Sequence, residues 1–386
     1  MRDRCTLTVN GRRLTASIGD TLVDAALRGG VVIPHECCGG QCNTCLVTLE
    51  DGEIDDNGTR VRNTVLGCQA TVAGDAVVSF DEVPLPAVRH GTVASIEALS
   101  PDILQVVVQM NSPFFYFPGQ YTKVKFKGFP ARDYSPAPAL DGDLDPNRLV
   151  YCIKRYPTGQ VSSSLGSLIG EGHKVRIDGP YGSAFLRSGR ERLVLVSSGT
   201  GWAPIWAIAH AACRAQAARE IVIVAGARDA ADLIMRPCLQ WLREHGVADV
   251  TLTASGFHEV PDIRRGRPTA WLPTLRADDC VHVAGAPAMV ESVMDLAEAA
   301  GAACHADPFL VSSERLSPFE RLARLMQPRR GTEQLTPLSP RPQDLTEYET
   351  LQPVRGLADR QPFAENSRTI AKRPGRRLLS ALLGER

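Results

Sequence analysis

The chain has 386 residues and a balanced formal charge, 43 Lys and Arg against 43 Asp and Glu, which gives room for two to three domains with well-filled cores. From Val311 onward 14 Lys and Arg stand against 9 Asp and Glu, a net +5 that leaves −5 on the residues before it, and a mildly acidic body with a basic tail is not the charge distribution of a nucleic-acid binder. Eleven cysteines, an odd number, with no hydrophobic signal segment at the start predict a reducing, cytoplasmic setting rather than a disulfide framework, and no apolar run approaches the ~18 residues that span a bilayer.

In chain order, residues 6–9, Asn10, Gly11 and residues 12–15 predict a hairpin, because Asn-Gly supplies the positive φ angles of a type I′ turn. A helix follows, capped by Asp20 or Thr21, carrying Leu22, Val23, Ala26 and Leu27 and stopped by Gly29 and Gly30. Then come Cys37, Cys42, Cys45 and Cys68 in the spacing C-x4-C-x2-C-x22-C, the plant-type 2Fe–2S ligand pattern. Thiolates suit a soft sulfide-bridged iron centre, and the short spacings let one tight loop wrap three ligands around it. Zinc is the competing reading, but it favours two paired half-sites and this chain has a single C-x2-C. Cys38 is an extra thiol with no ligand role. Strand, strand, helix and cysteine loop suggest a small α+β β-grasp. With Pro34-His35-Glu36 before the loop and Gln69-Ala70 after the last cysteine, the segment resembles the plant-type ferredoxin family. A Rieske centre is not expected, since Cys280-x-His282 is the one C-x-H and no C-x2-H accompanies it.

From about Val83 the pattern changes. Pro84, Pro86 and Arg89-His90-Gly91 read as a linker, and alternating segments such as 103–108 predict an antiparallel β-barrel. Within it P-G-Q-Y at 118–121 precedes R-D-Y-S at 132–135, and G-Q-V-S at 159–162 precedes G-P-Y-G at 179–182. Each alone is weak, and Tyr134 alone reads as an ordinary barrel aromatic. In order and together they resemble the flavin domain of the ferredoxin-NADP reductase superfamily. That resemblance implies that Arg132 pairs with the flavin phosphate, that Tyr134 packs on the isoalloxazine and that Ser135 hydrogen-bonds near its reactive nitrogen. Gly159, Val161 and Ser162 would contact the pyrophosphate. Arg offers phosphate a bidentate fork, which suits the first of these roles. The run Ser135-Pro136-Ala137-Pro138 is more proline-rich than that family's usual continuation.

The next residues have an α/β rhythm. Continuous apolar runs at 193–196, 221–224 and 250–253, then at 281–284, are of the kind buried in a parallel sheet, with helices between them. Gly199-Thr200-Gly201-Trp202-Ala203-Pro204 opens an Ala-rich helix and is not G-x-G-x-x-G, because Pro204 takes the third glycine's position. Gly285-Ala286-Pro287-Ala288-Met289 repeats the arrangement at a later strand end. Both loops would line the carboxyl edge of the sheet, where a pyrophosphate meets helix N-termini. The pair resembles the pyridine-nucleotide domain of the same superfamily, which gives Gly199, Thr200, Gly201, Pro204, Gly285, Pro287 and Met289 as contacts. In that family an aromatic at the domain's end covers the flavin, a place that falls to Phe309 here; it reads almost as readily as a core phenylalanine.

Residues 1 to about 312 are similar throughout to the single-chain reductase components of bacterial multicomponent (Rieske-type) oxygenases, of the naphthalene-dioxygenase-reductase kind. The resemblance implies a ferredoxin domain at 1–82, an FAD-binding barrel at 83–188 and an NAD(P)-binding α/β domain at 189–312. It implies an NADH-dependent enzyme that passes electrons through FAD to the 2Fe–2S cluster and on to a terminal oxygenase or ferredoxin. Tyr134, Ser135 and Phe309 would stand at the hydride-transfer site, the cofactor supplying the chemistry and the protein position and electrostatics. FAD rather than FMN follows from the ferredoxin leading the chain, as in FAD-using relatives. NADH is preferred because Arg228 is accompanied by Asp229 and Asp232, whereas a 2′-phosphate favours a denser basic cluster. A reductase serving a metabolic enzyme such as a deoxysugar dehydratase, and a cofactor-depleted binding module, are the other readings. Residues 313–386 lie outside the resemblance. A capping box at Ser317 predicts a helix over 318–326, followed by a basic, proline-rich, largely disordered tail that could dock on a partner.

Overall fold

The computed structural model describes residues 4–40, 42–215, 219–256 and 260–309. The helix expected over 318–326 and the tail that follows lie outside the described residues. Three sheets succeed one another. In the first, β1 (Arg4–Val9) and β2 (Arg12–Ser17) form the expected hairpin, with Asn10 at φ +46° and Gly11 at φ +79°. The helix α1 (Leu22–Arg28) is capped by Thr21, whose hydroxyl accepts from the Asp24 amide at 3.1 Å, while Asp20 is held by Arg28. Leu27 is exposed and Ala25 is buried in its stead, since Ala25 shares the inward face with Leu22 and Ala26. With β3 (Leu46–Asp55), β4 (Thr64–Leu66) and β5 (Thr71–Ser79) the sheet has the order β2-β1-β5-β3-β4, β5 lying parallel to β1.

The second sheet is antiparallel and contains β6 (Ala87–Ala98), β7 (Ile103–Met110), β8 (Tyr121–Phe126), β9 (Arg132–Tyr134), β10 (Arg148–Lys154) and β11 (Lys174–Tyr181), in the order β10-β7-β6-β11-β8-β9. A bridge in which the Ala137 amide donates to the Val150 carbonyl at 3.0 Å joins the two ends into a near-barrel. Arg89, His90 and Gly91 belong to β6 rather than to a linker. Gly91 is required there because a Cβ would come 2.4 Å from the Gln109 carbonyl oxygen. The proline-rich continuation after Ser135 is what carries the chain from β9 to that closing bridge.

The third sheet is parallel, with β12 (Leu193–Ser198), β13 (Ile221–Ala227), β14 (Asp249–Ala254), β15 (Ile263–Arg265), β16 (Cys280–Gly285) and β17 (Ala303–Pro308) in the order β15-β14-β13-β12-β16-β17. The helices are α2 (Trp202–Arg214), α3 (Arg236–Glu244) and α4 (Pro287–Ala300). The apolar runs read from the sequence are these central strands. Arg192 grips Asp279 with Nε at 2.8 Å and Nη2 at 2.7 Å, tying the starts of β12 and β16 together. The guanidinium holds the Asp279 carboxyl below the usual carboxylate range.

The second and third sheets are locked by α2. Trp206 Nε1 donates to the Ala139 carbonyl at 3.1 Å, and a His210 ring nitrogen sits 3.0 Å from the Gly142 carbonyl. Gly142, at φ +91°, lets this loop lie on the Trp241 indole, which an added Cβ would meet at 2.4 Å. Among the described residues no helix is long and apolar enough to cross a membrane.

Candidate functional site

The cysteine loop runs between α1 and β3. Cys37 and Cys42 are within hydrogen-bonding reach of one another, as are Cys45 and Cys68, and a negative charge on Cys42 opposes one on Cys45. The Gly39 amide points at the Cys37 sulfur at 3.4 Å, and the Gln69 side chain reaches the Cys68 sulfur at 3.6 Å. Burial pushes the Cys45 thiol up to about 12, so four thiols gathered this closely suit a strongly cationic centre that displaces their protons. Cys38, at φ +48°, is exposed. The donor set fits an iron–sulfur cluster.

The flavin motif is on β9, the edge strand beside β8, in the register Thr122 with Tyr134, Lys123 with Asp133 and Val124 with Arg132. Arg132 is half-buried at the strand's start and Ser135 is 5% exposed just past its end. Tyr134 lies 6.1 Å from the Tyr151 ring, and burial raises its phenol well above the ordinary value. The turn at 156–162 folds on itself: the Ser162 hydroxyl oxygen accepts from the Tyr156 amide at 3.1 Å, and a Cβ on Gly159 would stand 2.3 Å from that oxygen. Val161, 2% exposed, gives its side chain to the barrel core, and its carbonyl accepts from the Ser164 amide at 2.9 Å.

The two glycine loops end the adjacent parallel strands β12 and β16 and face one another. The Ala286 amide donates to Ser198 Oγ at 3.0 Å, and a Cβ on Gly201 would come within 2.3 Å of the Ala284 carbonyl oxygen. Gly199 at φ +56° and Gly285 at φ +128° need the left-handed region. Thr200 is half-buried and Pro287 exposed at this edge, whereas Pro204 is buried within α2 and Met289 in the core beneath it. Arg228 is exposed past the end of β13 with Asp229 next to it, while Asp232 is turned to Ser100, 2.6 Å away. The register of β13, β14 and β15 sets Ala227 beside Ala254 and Ala254 beside Arg265.

Phe309 follows β17, its amide donating to the Gly285 carbonyl at 2.8 Å. Two positions before it stands Asp307, which sequence reading passed over. It is half-buried with its Oδ2 shut away from solvent, within reach of the Ser135 hydroxyl, and pushed up to about 7 by desolvation and by the charge of Asp133. Its Oδ2 has no partner among the described residues, and neither do the buried hydroxyls of Ser197 and Thr253 near the carboxyl ends of β12 and β14. Buried polar atoms without partners are rare in native proteins, and these three lie toward the carboxyl edge of one sheet. The arrangement fits polar cofactors seated between the R-D-Y-S strand and the glycine loops.

The ferredoxin sheet reaches this site through β8. Glu36, next to Cys37, receives Lys123 Nζ at 2.7 Å and the Tyr121 hydroxyl at 3.2 Å, and the Gly182 amide donates to Thr44 Oγ1 at 3.1 Å. A second junction joins all three domains: Arg187 binds Asp81 through Nε and Nη2 and donates Nη1 to His305 Nδ1 at 3.1 Å. Two of the histidines meet here. His282 lies 4.8 Å from His305 and 3.7 Å from the Cys280 sulfur. Burial and Arg187 hold His305 neutral, down to about 3, and a guanidinium at this distance makes the group a poor seat for a cation.

Three family patterns match: the 2Fe–2S iron-sulfur cluster binding domain over residues 7–73, the oxidoreductase FAD-binding domain over 90–185 and the oxidoreductase NAD-binding domain over 195–295. The chain is 30% identical over 306 residues to the ferredoxin–NAD(P)+ reductase component of the Pseudomonas putida naphthalene 1,2-dioxygenase system, covering 74% of this chain and 90% of that one. It is 31% identical over 321 residues to the corresponding component of the Ralstonia naphthalene 1,2-dioxygenase/salicylate 5-hydroxylase systems, covering 78% and 96%. Among solved structures it is similar to the Amycolatopsis cytochrome P450 reductase, with 28% identity and a TM-score of 0.59 over 79% of this chain and 98% of that one. It shares the fold of the ferredoxin reductase of carbazole 1,9a-dioxygenase, with 23% identity and a TM-score of 0.55 over 80% and 99%. The chain belongs to the ferredoxin–NAD(P)+ reductase family. It is an oxidoreductase whose cofactors are a 2Fe–2S cluster, FAD and NAD(H).

The ligand set has a direct check. Cys45→Ser, at a thiol buried inside the loop, should yield protein without the cluster's visible absorption and iron while flavin is retained. Cys38→Ser should keep about two irons per chain. Iron lost from Cys38→Ser and kept in Cys45→Ser would exchange their assignments.

Proposed function

We propose that the chain carries electrons from NADH through FAD and the 2Fe–2S cluster to a terminal oxygenase or to a ferredoxin that serves one. The observation that carries this reading is that β8 and β9 place the R-D-Y-S motif between the four-cysteine loop and the two glycine loops. The partner class is supported by the relatives, which are reductase components of oxygenase systems. In this reading residues 1–82 hold the cluster, 83–188 the FAD and 189–312 the nucleotide, with Cys37, Cys42, Cys45 and Cys68 as iron ligands. The basic residues beyond 313 supply charge for docking on an acidic partner, an approach that salt would weaken.

A bound FAD would supply the conversion of the electron pair of a hydride from NADH into the single electrons that a one-electron cluster can accept. The protein's part is to hold and to shield. Arg132 is the phosphate fork, and the Val161 amide with the Ser162 hydroxyl lines the pyrophosphate turn, which Gly159 shapes by donating its own amide to the Tyr156 carbonyl. Tyr134 and Phe309, the latter beside Gly285, would give the ring site flat, water-excluding faces. Gly199, Thr200, Gly201, Gly285 and Pro287 shape the nucleotide loops, and Pro204 and Met289 support them from beneath. Arg228 with Asp229 suits the free ribose hydroxyls of NADH.

Ser135 and Asp307 form a proton-sensitive pair. Below about pH 7 Asp307 is neutral and the Ser135 hydroxyl hydrogen is free to point at the ring site. Above it the carboxylate draws that hydrogen to itself. NADH-driven flavin reduction should therefore fall as the pH rises through about 7, and Asp307→Asn, always neutral, should give a flat profile. A fall near neutrality that survives in Asp307→Asn would clear Asp307 of the role.

The reading as a whole is tested by retention and reduction together. Arg132→Ala should lose flavin on dialysis and keep its iron, as removal of a charge-assisted phosphate contact worth ~1.5–3 kcal/mol requires. In the unchanged protein, NADH should outperform NADPH by about tenfold or more in kcat/KM, the worth of about one charge contact. Full flavin retention in Arg132→Ala would remove that residue from the site, and parity between the nucleotides would hand the ribose position to Arg228 and Arg265.

A further inference from the structure

Glu36 occupies the position before the first cluster cysteine, and the flavin domain holds both of its carboxylate oxygens. Lys123 Nζ lies 2.7 Å from Oε1 and the Tyr121 hydroxyl 3.2 Å from Oε2. The Glu36 side chain is 13% exposed and that of Lys123 33%, so the pair is screened less than an open surface contact. Its geometry is fixed from behind. Lys123 faces Asp133 in the β8–β9 register and approaches its carboxylate at 3.6 Å. The loop is held a second time within the ligand run, where Thr44, between Cys42 and Cys45, accepts from the Gly182 amide. The contacts on Glu36 join residues 85 or more positions apart, and they come from Tyr121 and Lys123, which alternate onto one face of β8 while Thr122 leaves by the other.

We infer that Lys123 and Tyr121 are positioning residues for the internal electron transfer, gripping the cysteine loop through Glu36 so that the cluster stays against the strand that carries the flavin motif. The inference rests on the reading above, in which a flavin between β9 and the glycine loops feeds that cluster. The step being positioned moves one electron at a time from the reduced flavin to the oxidised cluster and makes or breaks no bond. NADH supplies the electron pair. Because electronic overlap falls steeply with separation, a loop released by even a small displacement transfers slowly although both cofactors remain bound. Neither residue is among those assigned to the hydride site, so the flavin phase serves as the internal control.

The experiment uses the full holoprotein under anaerobic conditions, mixed rapidly with NADH and followed at separate flavin and cluster wavelengths, with the cluster's reduction potential measured alongside. In Lys123→Gln and in Glu36→Gln the flavin phase should be unchanged and the cluster phase slowed about tenfold, the effect of ~1.4 kcal/mol of lost docking. The double variant should be no slower than either single one, because both remove the same contact. Lys123→Arg should restore most of the rate. The potentials should move in opposite directions, down in Lys123→Gln, which removes a positive charge near the cluster, and up in Glu36→Gln, which removes a negative one. Both variants slow while their potentials diverge only if position governs the step. If Glu36→Gln transfers as fast as the unchanged protein or faster, driving force governs it and the positioning role is overturned. Additive slowing in the double variant overturns it as well. If NADH fails to bleach the flavin of the unchanged protein, the proposed function is what fails, whereas a normal flavin phase with unaltered cluster phases refutes this inference alone.

Discussion

In an extended strand successive side chains leave by opposite faces, and in β8 that alternation is what lets one element serve two redox sites. Thr122 turns toward the barrel interior, its hydroxyl 3.2 Å from the Tyr134 carbonyl and 2.9 Å from the Tyr151 hydroxyl. Tyr121 and Lys123 turn the other way, onto the loop that carries the cluster cysteines. A slip of one residue would exchange the faces, setting Thr122 against Glu36 and taking the flavin motif off its partners. The register is pinned by β11, where Tyr181 lies opposite Tyr121 beyond an irregularity at Asp178, and by β9 on the other edge. Under the proposed assignment, backbone pairing in the flavin domain sets the spatial relation of the two cofactors.

Charge within the body follows the same economy of contacts. The buried ion pair of Arg192 and Asp279 is bidentate and closed, as a buried pair must be to offset its desolvation. Toward the carboxyl edge of the parallel sheet the opposite holds. Asp307 keeps one oxygen without a partner and retains its proton to about 7, and toward the carboxyl ends of β12 and β14 the buried hydroxyls of Ser197 and Thr253 are unmatched among the described residues. A polar cofactor with its own donors and acceptors is what such a lining is suited to receive. The junction of Asp81, Arg187 and His305 gives the three domains a common anchor whose charge is met, among the described residues, by Asp81, because both histidines there stay neutral.

Much of this was legible in the sequence because the signals are local. The Asn10-Gly11 turn, the cysteine spacing, the continuous apolar runs of β12, β13 and β16 and the glycines that close each of the two nucleotide loops all act over a few residues. What escaped was of two kinds. Gly91 looked like linker punctuation, yet it sits in a strand because a neighbouring backbone approaches too closely for a Cβ. Asp307, Lys123 and Arg187 carry no motif of their own, and their significance comes from partners in other domains. Val161 and Met289 illustrate the converse, since they sit in recognisable motifs while their side chains fill cores. A motif fixes where the backbone goes, and only packing decides which side chains face the ligand.

The central claim is that electrons cross from flavin to cluster inside one chain. Its most direct test is the rate of cluster reduction after mixing the anaerobic protein with a single equivalent of NADH, measured over about a hundredfold range of protein concentration. A contact built into the fold predicts first-order cluster reduction with a rate constant that does not change across the range. A rate constant rising in proportion to protein concentration would mean that the cluster is reduced by the flavin of another molecule, and would contradict the account.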